Sequence, residues 1–290
     1  MKFDKNTKIL IVGLGLIGGS YAKALSDEGY FVGAIDKKKS SVEYALKNRL
    51  IRVGETSVKK DFVKDFDLIV FALYPHDFIN WIKEYQSSIK PGALITDVTG
   101  VKSFVVENVQ KILRGDLEFV GAHPMAGKEV SGVENADPKI FVGANYIVTP
   151  TKRNTDENVQ AVKDLGHALG FERISSLSPK EHDETVGFLS HLTHCIAVSL
   201  MVSKKSHHLA EYTGDSFRDL TRIAKINDEM WSELFLANKD ELLKQMDLFE
   251  EKFNQLKEDI KNDNREKIRE TLRESTARRK VFDKDAKETK

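Results

Sequence analysis

The chain has 290 residues, and 45 lysines and arginines balance 45 aspartates and glutamates, so its formal net charge is zero. That length gives room for two domains and for a core that needs no disulfides. The charge balance excludes a whole-protein field that draws nucleic acid or an anionic membrane, and a single cysteine, Cys195, excludes an intrachain disulfide and fits a reducing compartment.

The opening, MKFDKNTKILIVG, passes from charged residues straight into an apolar run and has no signal-peptide stretch. No run reaches the eighteen or so apolar residues of a membrane span, and the expectation is a cytoplasmic protein. Short apolar runs then alternate with amphipathic segments. Ile9–Val12, Phe31–Ile35, Leu68–Ala72 and Leu94–Thr96 read as buried parallel strands. Phe119–Ala122 and Asn145–Val148 continue the series. Helices are expected between them, at Gly18–Glu28 and Phe78–Ser88, then over 156–169, with Glu172–Ser175 as a last edge strand. This alternation predicts a doubly wound, mostly parallel α/β sheet of the Rossmann type over residues 1–177.

From Ser178 the pattern changes. Ser178-Pro179-Lys180-Glu181 places a capping serine, an N1 proline and an N3 glutamate at a helix start. Strand signals are scarce beyond it, so residues 178–290 are expected to be all-α. Leu242, Met246, Phe249, Phe253, Leu256 and Ile260 step by four and three, a heptad-like stripe. The stripe serves equally a helix packed on its own domain or a subunit interface. Asn262-Asp263-Asn264 should end that helix, a further one carries Ile268 and Leu272, and a frayed charged tail is expected after Asp283.

Gly13-Leu14-Gly15-Leu16-Ile17-Gly18 is a GxGxxG that follows a strand, opens a helix and has Asp36 at the end of the next strand. That context is what a dinucleotide fingerprint requires. Gly13 permits the turn, Gly15 the approach of the pyrophosphate, and Gly18 the close packing of helix on strand. The pyrophosphate is expected at the helix N-terminus, beside Leu16 and Ile17. Asp36 would accept from the adenosine ribose and repel a 2′-phosphate, which points to NAD. Lys37, Lys38 and Lys39 either hold such a phosphate or are a solvated run.

Three further segments gather reactive residues. The first is Asp97-Val98-Thr99-Gly100-Val101-Lys102, at a strand's C-terminal end, where ligands of open α/β sheets bind. The second is His123-Pro124-Met125-Ala126-Gly127-Lys128-Glu129. A histidine there is either a general base, neutral at pH 7, or a structural loop histidine. The third is Ser190-His191-Leu192-Thr193-His194 with Phe217-Arg218-Asp219-Leu220-Thr221-Arg222-Ile223-Ala224. His191 and His194 share a helix face, but no third ligand stands at metal spacing, so no metal is expected. His191 also reads as a core histidine. Arg222 either pairs with Asp219 or waits for a ligand carboxylate. Cys195 reads as core, and His207 and His208 as surface.

GxGxxG, DxxxVK, HPMAG, SHLTH and FRDLTRIA, in this order and over nearly the whole chain, resemble the prephenate dehydrogenase family of tyrosine biosynthesis. The resemblance implies NAD-linked oxidative decarboxylation of prephenate, with His123 as catalytic histidine and Arg222 binding a prephenate carboxylate. It implies His194 and Glu129 at the pocket, Lys102 and Thr99 near it, Trp231 close by, and a homodimer made by the helical domain. One departure stands out: related enzymes read GSVK where this chain reads Thr99-Gly100-Val101-Lys102, so the serine that would hold the catalytic histidine is Gly100. Thr99 or a water is expected to replace it. Some relatives carry a regulatory ACT domain, for which this sequence has no segment after its helices. Arogenate dehydrogenase, a β-hydroxyacid-type dehydrogenase and a non-catalytic NAD-sensing regulator are the alternatives. The second usually depends on a lysine where this chain has histidines, and the third would need neither HPMAG nor the Arg222 segment.

Overall fold

The computed structural model describes residues 1–205 and 208–282. It divides into two compact units, Met1–Lys239 and the residues from Asp240 onward. His207 and the tail after Asp283 lie outside the described residues.

In the first unit, strands and helices alternate as expected: β1 (Lys8–Val12), α1 (Leu16–Asp27), β2 (Phe31–Ile35), α2 (Lys39–Lys47), β3 (Val53–Glu55), α3 (Lys60–Val63), β4 (Leu68–Phe71), α4 (Pro75–Tyr85), β5 (Leu94–Asp97), α5 (Ser103–Ile112) and β6 (Glu118–Phe119). The six strands form one parallel sheet in the order β3-β2-β1-β4-β5-β6. Pleat alternation fills both faces. Ile9, Ile11, Leu68 and Val70 join one core, while Leu10, Val12, Ile69 and Phe71 join the other. The crevice of such a sheet opens where the order reverses, between β1 and β4.

The single run expected at Phe119–Ala122 is broken at Val120. Its first part ends the parallel sheet as β6, and its second becomes β7 (Gly121–Pro124). β7 pairs antiparallel with β8 (Asn145–Thr149), which pairs parallel with β9 (Arg173–Ser176) across α6 (Asp156–Ala168). This second sheet of three strands carries His123 away from the register of the main one.

At Ser178 the sequence signals appear in full. The Ser178 side chain accepts from the Glu181 amide and the Glu181 carboxylate accepts from that of Ser178, starting α7 (Pro179–Val186). A π-helical turn, Gly187–Leu192, joins it to α8 (Thr193–Val202). Contrary to expectation, the combined rod Pro179–Val202 is long and apolar enough by composition to cross a membrane. Within the fold it carries the buried His182, Asp183 and His191. α9 (Asp215–Thr221) and α10 (Asp228–Ala237) complete this unit, the latter capped by Asn227.

The second unit contains α11 (Lys239–Lys261) and α12 (Arg265–Arg279). Asp263, with φ of 52°, ends α11 where the Asn-Asp-Asn run stands. Of the heptad stripe, Met246, Phe249, Phe253 and Ile260 are exposed.

Candidate active site

The glycine loop has the shape its sequence requires. Gly13 follows β1 with φ of +99°, and a Cβ there would lie 2.4 Å from the Ala72 carbonyl oxygen at the end of β4. A Cβ on Gly18 would lie 1.9 Å from the Gly13 carbonyl oxygen, so only glycine lets α1 pack this closely. Around Gly15, by contrast, a Cβ would meet nothing within 4 Å, which leaves open space beside the first turn of α1. Leu16 is buried and Ile17 partly so, both behind that turn. Asp36, at the end of β2, accepts the Leu14 amide at 2.6 Å and the Lys38 amide at 2.7 Å. Its carboxylate is thereby fixed beside the loop with lone pairs left for ribose hydroxyls. Lys39 is drawn to Glu43 at 3.5 Å. The donor set fits NAD: free helix N–H groups for the pyrophosphate, open room, and a carboxylate for the ribose.

The segment after β5 turns inward. The Lys102 ammonium has 0% exposure and bonds Asp97 at 2.6 Å and the Thr99 hydroxyl at 3.0 Å. Thr99 donates its own hydroxyl to Asp97, whose other oxygen accepts the Ala122 amide at 3.1 Å. Burial pulls the Lys102 pKa down and the Asp97 charge opposes that pull. Both side chains are therefore taken up in pinning β5 to β7. Neither is presented to a ligand, and the Thr99 hydroxyl does not substitute for the missing serine.

His123 meets a different partner. His123, on β7, lies with Nδ1 2.8 Å from Nε2 of His182, whose own Nδ1 lies 2.8 Å from Asp183. Asp183 also accepts the Lys102 and Ser103 amides, at 2.8 and 2.7 Å. Desolvation, then the charges of His182, Lys102 and His191, hold the His123 pKa well below its usual value, so it is neutral at pH 7. Nε2 of His123 has no hydrogen-bond partner among the described residues, and a Cβ on Gly100 would lie 3.9 Å from its Cε1. His182 and Asp183 escaped the sequence reading. Their signal was a His-Asp pair in the first turns of a helix beginning at Ser178, but its meaning depends on a contact 59 residues away.

The π turn presents the other two histidines differently. His191 is buried, touches the Asn238 amide at 3.2 Å, and has its pKa lowered by burial to about 4. It is the core histidine that its apolar surroundings predicted. His194 stacks on Trp231 with ring centroids 3.7 Å apart, and its Nδ1 donates to the Ser190 carbonyl at 2.8 Å. Desolvation lowers its pKa, Glu129 raises it and Arg222 lowers it. These groups thus share one neighbourhood. Arg222, 64% exposed, pairs with Glu129 rather than with Asp219. Cys195 is half-buried, and His208 pairs on the surface with Glu211. Among the described residues no group of three or more His, Cys, Asp or Glu stands where a metal could be held.

A parallel sheet in this strand order, a glycine loop with an anchored acidic residue and a neutral, positioned histidine define an NAD-dependent dehydrogenase. Comparison with known proteins narrows the class. The nucleotide-binding domain of prephenate dehydrogenase matches residues 21–173, and its dimerization domain matches residues 178–274. The chain is 34% identical to the prephenate dehydrogenase of Bacillus subtilis over 82% of its own length and 66% of that relative's. It is 32% identical to that of Lactococcus lactis subsp. cremoris, over 86% and 70%. It therefore spans about two thirds of each. A crystal structure of prephenate dehydrogenase from A. aeolicus, in complex with hydroxyphenyl propionate and NAD+, superposes with a TM-score of 0.87 at 33% identity, covering 96% of this chain and 98% of that one. The chain belongs to the prephenate dehydrogenase family.

Proposed function

We propose that the protein converts prephenate to 4-hydroxyphenylpyruvate and carbon dioxide with NAD as oxidant, in tyrosine biosynthesis in the cytoplasm. The observation that carries this reading is His123: neutral, held at Nδ1, and free at Nε2 beside the strand ends of a dinucleotide fold. In this reading Nε2 takes the proton of the substrate's ring hydroxyl. When bound, NAD supplies the acceptor for the hydride from the carbon that bears that hydroxyl. The bond from the opposite ring carbon to its carboxylate then breaks, and its electrons complete the aromatic ring. Aromatisation supplies the driving force, so the protein's part is to position groups and neutralise charge. Arg222 grips a substrate carboxylate. Its exposed bond to Glu129 is worth little in water and yields to an incoming anion. His194, set by Ser190 and stacked on Trp231, lines the pocket with Glu129.

The division of labour follows the two matched regions: cofactor in residues 1–177, substrate and dimer contacts in 178–290. Exposed Met246, Phe249, Phe253 and Ile260 on α11 support a homodimer. Light scattering should give twice the chain mass, and a monomer at micromolar concentration would count against that assignment. The functional test is the appearance of reduced nicotinamide absorbance when the purified protein meets prephenate or arogenate, each with NAD and with NADP. Turnover of prephenate with NAD is expected. Turnover of arogenate alone would move the assignment to that substrate, and binding of NAD without turnover of either would make the protein a sensor.

A further inference from the structure

We infer that His182 and Asp183 form a positioning pair that fixes the tautomer of His123 and takes the place of the absent serine at Gly100. The inference rests on the reading of His123 as the base. Donors and acceptors along one chain of atoms, from Asp183 through His182 to His123, carry it.

Asp183 is the fixed end. Its carboxylate accepts the Lys102 and Ser103 amides at the start of α5, and its own backbone carbonyl accepts from the Asn238 amide at 2.9 Å. Hydrogen bonds from His182, Ser103 and Lys102 hold its pKa low against the pull of burial, so it is an anion and can only accept. The nitrogen facing it, Nδ1 of His182, must then carry a proton. Burial lowers the His182 pKa, so that ring is neutral and its Nε2 is bare. A bare Nε2 2.8 Å from Nδ1 of His123 requires the proton of neutral His123 to sit on Nδ1. Nε2 of His123 is left with its lone pair outward, the form a base must have.

The same bonds serve after the proton arrives. With Nε2 of His123 protonated, Nδ1 still donates to His182 and His182 still donates to Asp183. The new positive charge is met by an oriented dipole ending in a carboxylate, and no group need turn. His182 is wholly buried and does not meet substrate, so its effect passes through His123 alone.

Selective ¹⁵N labelling of histidine in the native protein, without substrate, tests the tautomer directly. His123 should show a protonated Nδ1 and a bare Nε2. His182→Leu keeps the bulk but removes the acceptor. It should lower kcat about 10- to 100-fold with little change in KM or in NAD affinity, and shift part of the His123 population to the Nε2-protonated form. His182→Gln offers a carbonyl in place of the imidazole nitrogen and should restore most of the loss. A native Nε2-protonated His123 would overturn the inference, as would wild-type kcat in the leucine variant. If His182→Leu fails to fold, the glutamine variant and the native spectrum still decide. Failure of the proposed function is seen separately, because the native spectrum needs no substrate.

Discussion

Lys102 stands in a motif that the family resemblance places near the substrate, yet its ammonium is buried against Asp97 and Thr99. Lys102→Met should therefore cost stability before it costs binding. Methionine matches the length of the stem but leaves the Asp97 carboxylate without its counter-ion. Losing one partner of a buried pair costs about 3–5 kcal/mol. Asp97 keeps the Thr99 amide at 3.0 Å, the Thr99 hydroxyl and the Ala122 amide, so the lower end, about 3 kcal/mol, applies. For a unit of this size that is a Tm fall of about 6–12 °C. Thermal melts followed by circular dichroism measure the fall. The KM for prephenate, measured well below the melt, should stay near wild type. Pairing the change with Asp97→Asn should recover part of the loss. An unchanged Tm with a raised KM would refute the structural role and return Lys102 to the pocket.

Replacing Asp36 by alanine should weaken NAD and relatively favour NADP, and wild-type turnover with NADP equal to that with NAD would refute the role given to Asp36. His123→Asn should lower kcat about 10²–10⁴-fold with little change in KM, and near-wild-type kcat would send the proton by another route. Because His123 is active when neutral and its pKa is depressed, kcat should rise with pH to a plateau. The midpoint should lie below the ordinary histidine value of about 6.5, and a midpoint above 7 would contradict the depressed pKa. Arg222→Ala should raise KM about ten- to a hundredfold with NAD affinity intact, since a charged hydrogen bond is worth roughly 1.5–3 kcal/mol. An unchanged KM would remove the guanidinium from substrate binding.

Local chemistry was legible in the sequence and long-range pairing was not. The glycine loop and the capping box at Ser178 are written in motifs of a few residues, and both took their expected shape, while Asp36 stands at the end of β2 beside that loop. The break at Val120 was hidden because both halves of the run are equally apolar, and only the pairing partner separates β6 from β7. Lys102 and Thr99 read as site residues because polar groups after a parallel strand usually face the crevice, whereas here Asp97 turns them inward. The loss of serine at Gly100 left His123 without a visible partner. The partner is His182, on a helix that reaches β7 only in the folded chain. Arg222 was expected to meet either Asp219 or a ligand. It meets Glu129, from the loop that follows His123.

The wide turn at Gly187–Leu192 divides one helical rod into two angular settings. His182 and Asp183 precede it, and His194 follows it. A turn of this kind holds one residue more than an α turn, so deleting a single residue within it would restore ordinary winding. The helix downstream would keep nearly its present setting, because the wide turn already absorbs the extra residue locally. Removing one residue from the α-helical stretch between Asp183 and Gly187 would instead turn everything downstream by about 100° and draw it back by about 1.5 Å along the axis, and His194 would swing off the face of Trp231. The chain therefore keeps its pocket geometry through a one-codon change in length at the wide turn and loses it through the same change beside that turn.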